Sequence, residues 1–217
     1  RALRTAVLPG RVVAQSIVLD APGLAGAGVV SLAVFAGLTL MNDLAFDGPA
    51  RWLHVAVGVP GWQDRLGRVL ATTVVFGPVV LLTYAVSLAL GVVQSPLPWL
   101  TVTVVAFFAS LGLAVLVGAY LPGTAPRTGG NPFAATSGGA AQGCLTALIS
   151  FIGPIALTAP AAVLAWVTSG TTVGRWAVLV VGTAYGLGLL AVGVVVGGAR
   201  LDARAPELLG QLESAQI

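Results

Sequence analysis

The chain has 217 residues, of which 57% are hydrophobic and 8% are charged, and its net charge is +3. A soluble domain carries about 25% charged residues, so a soluble globular fold accounts poorly for this composition. All ten basic residues are arginines, and they are scattered over short segments. Because nucleic-acid binding needs a basic stripe or patch, this arrangement argues against a nucleic-acid partner.

Long uncharged stretches predict membrane-spanning helices. No charged residue occurs in 69–126, 128–174 or 176–199. A helix needs about 20 apolar residues to cross the hydrocarbon core of about 30 Å. With the apolar run near the start, these stretches predict five spans, at 22–41, 69–93, 99–121, 144–167 and 175–199. Small residues recur at four-residue spacing within them and predict close helix packing: Gly182 with Gly186, Gly193 with Gly197, and Ser110 with Ala114.

The arginines predict the orientation of this all-α, multi-pass helical bundle, with residues 22–199 as its transmembrane domain. Five spans place the coupling region 42–68, the loop 122–143 and the tail 200–217 on one side. That side holds six arginines, whereas the opposite side holds only Arg175 after the first span. By the positive-inside rule, the three segments and the C-terminus are cytoplasmic, and the protein lies in the cell membrane.

Residues 1–21 do not fit this alternation. They should lie outside, yet they carry Arg1, Arg4 and Arg11. The apolar run 12–19 is too short to span the bilayer. Either this segment is cytoplasmic or interfacial and the span that should follow it is missing here, or the topology is wrong; we favour the first interpretation.

A short amphipathic helix is predicted between the first two spans. Asp47 and Gly48 suit a helix start, Trp52 and Leu53 lie on its apolar face, and Gly58 with Pro60 ends it. Such a helix lies at the membrane surface. It either rests on the headgroups or docks a cytoplasmic partner.

Three motifs resemble the bacterial integral membrane permeases of type-two ATP-binding-cassette (ABC) exporters, in particular the group with long hydrophobic subunits. The first is NDLAFDGPARWLH at 42–54 followed by DRLGRVLA at 64–71. The second is GNPF at 130–133 with SGG at 137–139 and QG at 142–143, and the third is LDARAPELL at 201–209. The first is similar to the run after the family's second span, the second to its loop between the fourth and fifth spans, and the third to its tail.

The resemblance implies a six-helix permease core with both termini cytoplasmic, in which the five spans are the second to the sixth. It implies that 42–68 is the coupling helix, which contacts a separate nucleotide-binding ATPase subunit. It also implies a second permease copy or homologue in the bilayer. The implied ATPase-coupling residues are Asp47, Gly48, Arg51, Trp52, His54, Asp64, Arg65 and Arg68.

The fourth predicted span contains a candidate helix break. Pro154 and Pro160 each remove a backbone donor, and the resemblance implies a broken helix here; a kink in a lipid-facing helix is the alternative. Thr158 and Tyr84 are candidates for a substrate pathway. Apolar spans with hydroxyl groups suit lipids, hydrophobic peptides, drugs or polyketides equally.

Enzymatic chemistry is not expected within this chain. His54 has no cluster of acidic, His or Cys residues that would complete a catalytic or metal site, and no cofactor is implied. The phosphate loop G-x-x-x-x-G-K-[ST] is absent, as is lysine altogether, so a partner must hydrolyse ATP. Two alternatives remain: an ion-coupled secondary transporter that binds Na⁺ at carbonyls of the proline break, and a non-transporting membrane scaffold or assembly subunit.

Overall fold

A computed structural model describes residues 26–41, 43–47, 53–54, 57–93, 95–121 and 139–214. This part of the chain is helical and contains no strand. Its helices are α1 (Gly26–Leu38), α2 (Asp43–Asp47), α3 (Gly61–Ala89), α4 (Pro96–Tyr120), α5 (Gly139–Val167) and α6 (Thr172–Ser214), with a 3₁₀ turn at Thr168–Gly170.

Four helices, α3 to α6, are long and apolar enough to cross a membrane, so the chain is a multi-pass membrane protein. They confirm the last four predicted spans. The described part of the first predicted span is the shorter apolar helix α1. α3 begins before its predicted span because the charged turn that precedes the span is helical too, and α6 continues without interruption into the predicted tail.

Proline and glycine set three of the helix boundaries. Pro60 precedes α3, and Pro96 lies in the first turn of α4, where its missing N–H costs nothing. Gly91 follows α3 with a φ of 69°, a left-handed conformation that glycine adopts without strain.

α4 is the central helix. In its most apolar window 67% of the residues are buried, compared with 17% in α3 and 22% in α5. α1, α4 and α6 run in the same direction, since Gly26 lies against Trp99 and Gly37 against Ser110, while Gly182 lies against Thr101. The hydroxyl of Ser110 also lies 3.0 Å from the carbonyl oxygen of Ala33, which ties α4 to α1.

Glycines allow α4 and α6 to approach closely, as their spacing predicts. Gly186 lies against Val105, and Gly197 against the backbone of Val115. A Cβ atom added to Gly193 would lie 2.1 Å from the carbonyl oxygen of Gly112, which leaves no room for a side chain. Lipid tails are as apolar as the helices, so close packing of this kind replaces the hydrophobic effect in holding the pair together.

The predicted helix break in α5 is wrong. α5 continues through both Pro154 and Pro160 and ends only at the 3₁₀ turn after Val167. A proline frees carbonyls in the preceding turn, and neighbouring helices can satisfy them. Pro160 leaves the carbonyl of Ala156 without its usual donor, and the hydroxyl of Tyr185 on α6 donates to the neighbouring carbonyl of Leu157 at 3.0 Å.

The helix ends that carry the charges meet at one end of the bundle, which we call the polar end. It consists of α2, the start of α3, the end of α4 and residues 198–204 of α6. Leu44, Ala119 and Leu201 form a small buried apolar cluster there. The described residues 43–47, 61–68 and 198–204 therefore lie at the same end of the bundle.

The close approach of α4 and α6 gives a matched pair of substitutions. Gly193→Ala should lower the free energy of unfolding by about 1–3 kcal/mol, because the backbone of Gly112 must move to admit the new methyl group. Gly188→Ala on the same helix meets nothing within 4 Å and should be neutral or slightly stabilising. Thermal unfolding in detergent, followed by circular dichroism, measures both; equal melting temperatures would refute the packing.

Candidate functional site

An ion-pair cluster occupies the polar end. It is built from two short stretches of sequence: α2, which supplies Asp43 and Asp47, and the first turns of α3, which supply Asp64, Arg65 and Arg68. Asp64 and Arg68 are four residues apart and so share one face of α3.

Arg65 lies at the centre of the cluster, and its side chain is fully buried. One Nη atom lies 2.8 Å from an oxygen of Asp64, and the other lies 3.2 Å from an oxygen of Asp43. An unpaired charge in such a position would be very costly. The two carboxylates compensate the guanidinium, and in doing so they hold α2 against α3.

Arg68 joins the remaining carboxylates. It pairs with Asp43 at 3.3 Å, with Asp64 at 3.1 Å, and with Asp47. Asp43 and Asp64 are therefore each shared by two guanidiniums. A shared network of this kind is worth more than isolated surface pairs, which contribute little.

His54 adds a third kind of contact. Its Nδ1 lies 3.3 Å from Asp64, and about half of its side chain is exposed. The cluster therefore contains three carboxylates, two guanidiniums and one imidazole. This contact connects residues 53–54, which belong to the predicted coupling helix, to the base of α3.

The cluster shifts the pKa values of its own groups. Burial acts to raise the pKa of the Asp64 carboxyl, but hydrogen bonds and charge from Arg68 and Arg65 outweigh it, so this pKa lies below its usual range. Burial acts to lower the pKa of Arg68, but Asp43, Asp64 and Asp47 raise it overall. Both groups stay charged at neutral pH.

α6 is attached to the same site through Asp202, which the sequence motifs contained but did not single out. Its carboxylate accepts a hydrogen bond from the backbone N–H of Gly61 at 2.7 Å. Pro60, at the N-cap position, gives α3 no side-chain cap; Asp202 satisfies one of the free N–H groups at that helix start and complements its dipole. Gly61 and Gly198 are in close backbone contact beside it.

The structure brings together five of the eight predicted coupling residues: Asp47, His54, Asp64, Arg65 and Arg68. Gly48, Arg51 and Trp52 lie outside the described residues, as do residues 1–21, 122–138 and most of the predicted amphipathic helix. Of that helix only 53–54 and 57 are described; Leu53 and Val57 are exposed.

The four candidate pathway residues have separate surroundings. Pro154 and Thr158 are buried within the bundle, and the Thr158 hydroxyl donates to the Pro154 carbonyl at 2.7 Å. Pro160 faces outward. The hydroxyl of Tyr84 donates to the carbonyl of Pro96, which fastens α3 to the start of α4.

Comparison of the chain with protein-family models, with curated proteins and with solved structures finds no match. Within the described part of the chain, no three His, Cys, Asp or Glu side chains converge in a way that could hold a metal ion. A functional assignment therefore has to be built from the sequence motifs and from the geometry of the polar end.

Removal of the buried guanidinium should weaken the protein strongly. Arg65→Gln leaves Asp43 and Asp64 to share Arg68 alone, and we expect a loss of about 3 kcal/mol in the free energy of unfolding. Arg175→Gln, in the first turn of α6 at the opposite end of the bundle, is the matched control; its exposed guanidinium donates a hydrogen bond to the carbonyl of Ser169, so the loss should be about 1 kcal/mol or less. Denaturant titration of both variants in detergent makes the comparison, and similar losses would contradict the central position of Arg65.

The low pKa of Asp64 gives stability a defined pH dependence. Its contribution is complete above the unfolded-state value of 3.8 and is lost as the pH falls below that value, through the lower pKa of the folded state. Melting temperatures measured between pH 7 and pH 3 should therefore fall more steeply at the acid end for the native protein than for Asp64→Asn. Parallel curves would show that this carboxylate gains nothing from the cluster.

Proposed function

We propose that this chain is the transmembrane permease subunit of an ATP-driven exporter, which forms the substrate pathway and is driven by a separate nucleotide-binding ATPase subunit. Two features support the proposal. The sequence motifs resemble type-two ABC permeases, and five of the eight residues that this resemblance selects for coupling are found in one ion-pair cluster. The cluster is the observation that carries the proposal.

A coupling element has to pass a displacement from a soluble partner to the spans, so it must be rigid where it joins them. The cluster meets this need. His54 connects the coupling segment to Asp64, and Asp64 with its two arginines belongs to the first turns of α3. A force applied to residues 53–54 therefore reaches α3 through charged groups that are costly to separate.

The same displacement would reach two further spans. α6 is bonded to the start of α3 through Asp202, and α4 contacts α2 and α6 through the apolar cluster of Leu44, Ala119 and Leu201. Three helices therefore respond together at the polar end, which under this proposal is the cytoplasmic end.

The spans favour an apolar substrate. The described hydroxyls on α3, α4 and α5 mostly donate to carbonyls of their own helix; examples are Thr73 to Val69, Thr83 to Val79, Ser87 to Thr83 and Thr103 to Trp99. Hydroxyls used in this way offer little polar lining. Large apolar side chains on the outer surfaces of α3 and α5 instead face lipid or the second permease subunit that the proposal requires.

ATP hydrolysis is assigned to the partner because the chain has no lysine and so cannot form the phosphate loop of a nucleotide-binding subunit. The ion-coupled alternative gains no support from the structure. The helix break that would have supplied backbone carbonyls for Na⁺ is absent, because α5 is continuous through both prolines.

The first experiment is purification of the full-length tagged protein from its native membrane in mild detergent, with identification of co-purifying proteins by mass spectrometry. We expect a soluble subunit that bears a phosphate-binding loop, in a stoichiometric amount. A stable protein that purifies without any such subunit would overturn the proposal and favour a secondary transporter or a scaffold.

Substitutions then locate the contact. Asp47→Ala and Arg51→Ala should lower the amount of co-purified ATPase subunit severalfold while membrane insertion is unchanged. Arg175→Ala removes the same kind of charge at the opposite end of the bundle and should leave the amount unchanged. Equal retention of the ATPase subunit by all three variants would refute the coupling role of residues 42–68.

A further inference from the structure

Arg200 lies at the polar end but outside the ion-pair cluster. Its guanidinium carbon lies 5.0 Å from the centre of the Tyr120 ring, at the end of α4. Its Nε atom is buried and makes no hydrogen bond. Among the described residues no carboxylate pairs with this guanidinium, whereas Arg65 and Arg68 are each paired with two or more.

The residue spacing along α6 and α4 places Arg200 and Tyr120 at the depth of the lipid headgroups. From Arg175 to Arg200 the rise of α6 is about 37 Å at about 1.5 Å per residue. The hydrocarbon core is about 30 Å thick, and the bilayer with its headgroups is about 40–45 Å thick. The two arginines therefore lie just beyond the hydrocarbon on opposite faces. On α4, Trp99 and Tyr120 bracket about 32 Å in the same way, as aromatic belts do.

A guanidinium that lies at headgroup depth, and that pairs with no carboxylate among the described residues, is suited to bind a phosphate group. Its planar fork of donors matches phosphate oxygens in a bidentate manner. The face of an aromatic ring holds the fork in one orientation and adds a modest attraction. The Tyr120 ring is nearly half exposed, so this edge of the polar end is open to the bilayer.

We propose that Arg200, held by the ring of Tyr120, binds the phosphate of a phospholipid headgroup in the leaflet at the polar end. The ligand is a phosphodiester that the bilayer itself supplies. It lies beside the buried cluster of Leu44, Ala119 and Leu201, so its binding stabilises the junction between the ends of α4 and α6. This site is independent of the proposed transport function.

The test is native mass spectrometry of the detergent-purified full-length protein, titrated with phosphatidylglycerol or with a neutral galactolipid that lacks phosphate. We expect retention of phosphatidylglycerol and weak binding of the galactolipid. Arg200→Gln should weaken phosphatidylglycerol binding at this site about tenfold or more, in line with the loss of a charge-assisted bidentate contact of about 1.5–3 kcal/mol. Arg175→Gln, at the opposite face, should leave it unchanged.

Substitution of Tyr120 is the more specific test, because removal of its ring leaves every charge of the protein in place. Tyr120→Leu should weaken binding about threefold, as expected for a partly exposed cation–π contact, while Tyr120→Phe keeps the ring and should bind as the native protein does. If Arg200→Gln does not fold, Arg200→Lys and the two Tyr120 variants decide the question, since lysine keeps the charge but loses the fork.

Three results would overturn the proposal. Equal weakening by Arg175→Gln and Arg200→Gln would indicate diffuse attraction between a cationic protein and an anionic lipid. An unchanged affinity for phosphatidylglycerol in Tyr120→Leu would show that the Tyr120 ring does not form part of a specific binding site. Binding of free glycerol phosphate as strong as that of the lipid would assign the site to a soluble phosphate ligand instead.

Discussion

The burial of one arginine constrains the whole polar end. A fully buried guanidinium needs compensating carboxylates on more than one side, and α3 alone supplies only Asp64. Asp43 must therefore come from a separate helix, which forces α2 to lie across the first turns of α3. The position of α2 against the first turns of α3 follows from this requirement. This pairing, together with the burial of Leu44, holds in place a five-residue helix that would not be stable alone.

A second constraint acts within the bilayer, where helices gain nothing from hiding apolar surface from lipid. Close packing has to hold the helices together instead, and the glycines of α6 allow it because they let the backbone of α6 approach that of α4 closely. The Gly61–Gly198 contact extends the same principle to the start of α3 at the polar end. Charge pairing joins α2 to α3, and close backbone packing joins α3 to α6 and α6 to α4. These contacts make α3, α4 and α6 one mechanical unit at that end, whereas α5 joins the bundle mainly through its packing on α4 and the hydrogen bond from Tyr185.

The sequence alone predicted the spans well, because hydrocarbon excludes charge and its thickness sets a minimum length. It predicted the packing of Gly193 and Gly197 for a similar reason, since close approach requires small residues at helical spacing. It did not predict that Arg65 pairs with Asp43 or that Asp202 caps α3, because those partners lie 22 and 141 residues away and meet only through tertiary packing. It failed at Pro154 and Pro160, where local helix-breaking chemistry is overridden because the bilayer offers no alternative to a helix.

The arginines of the polar end divide according to what compensates them. Arg65 and Arg68 are each paired with two or more carboxylates of the protein itself, so they brace α2 against α3. Arg200 stacks on the ring of Tyr120, and among the described residues no carboxylate pairs with it, so its guanidinium remains suited to an anion from outside. Both kinds of arginine count equally toward the positive-inside rule. A count of arginines therefore predicts an orientation of the chain in the membrane. Only the contacts of each guanidinium distinguish an arginine that is paired inside the protein from one that can contact the bilayer.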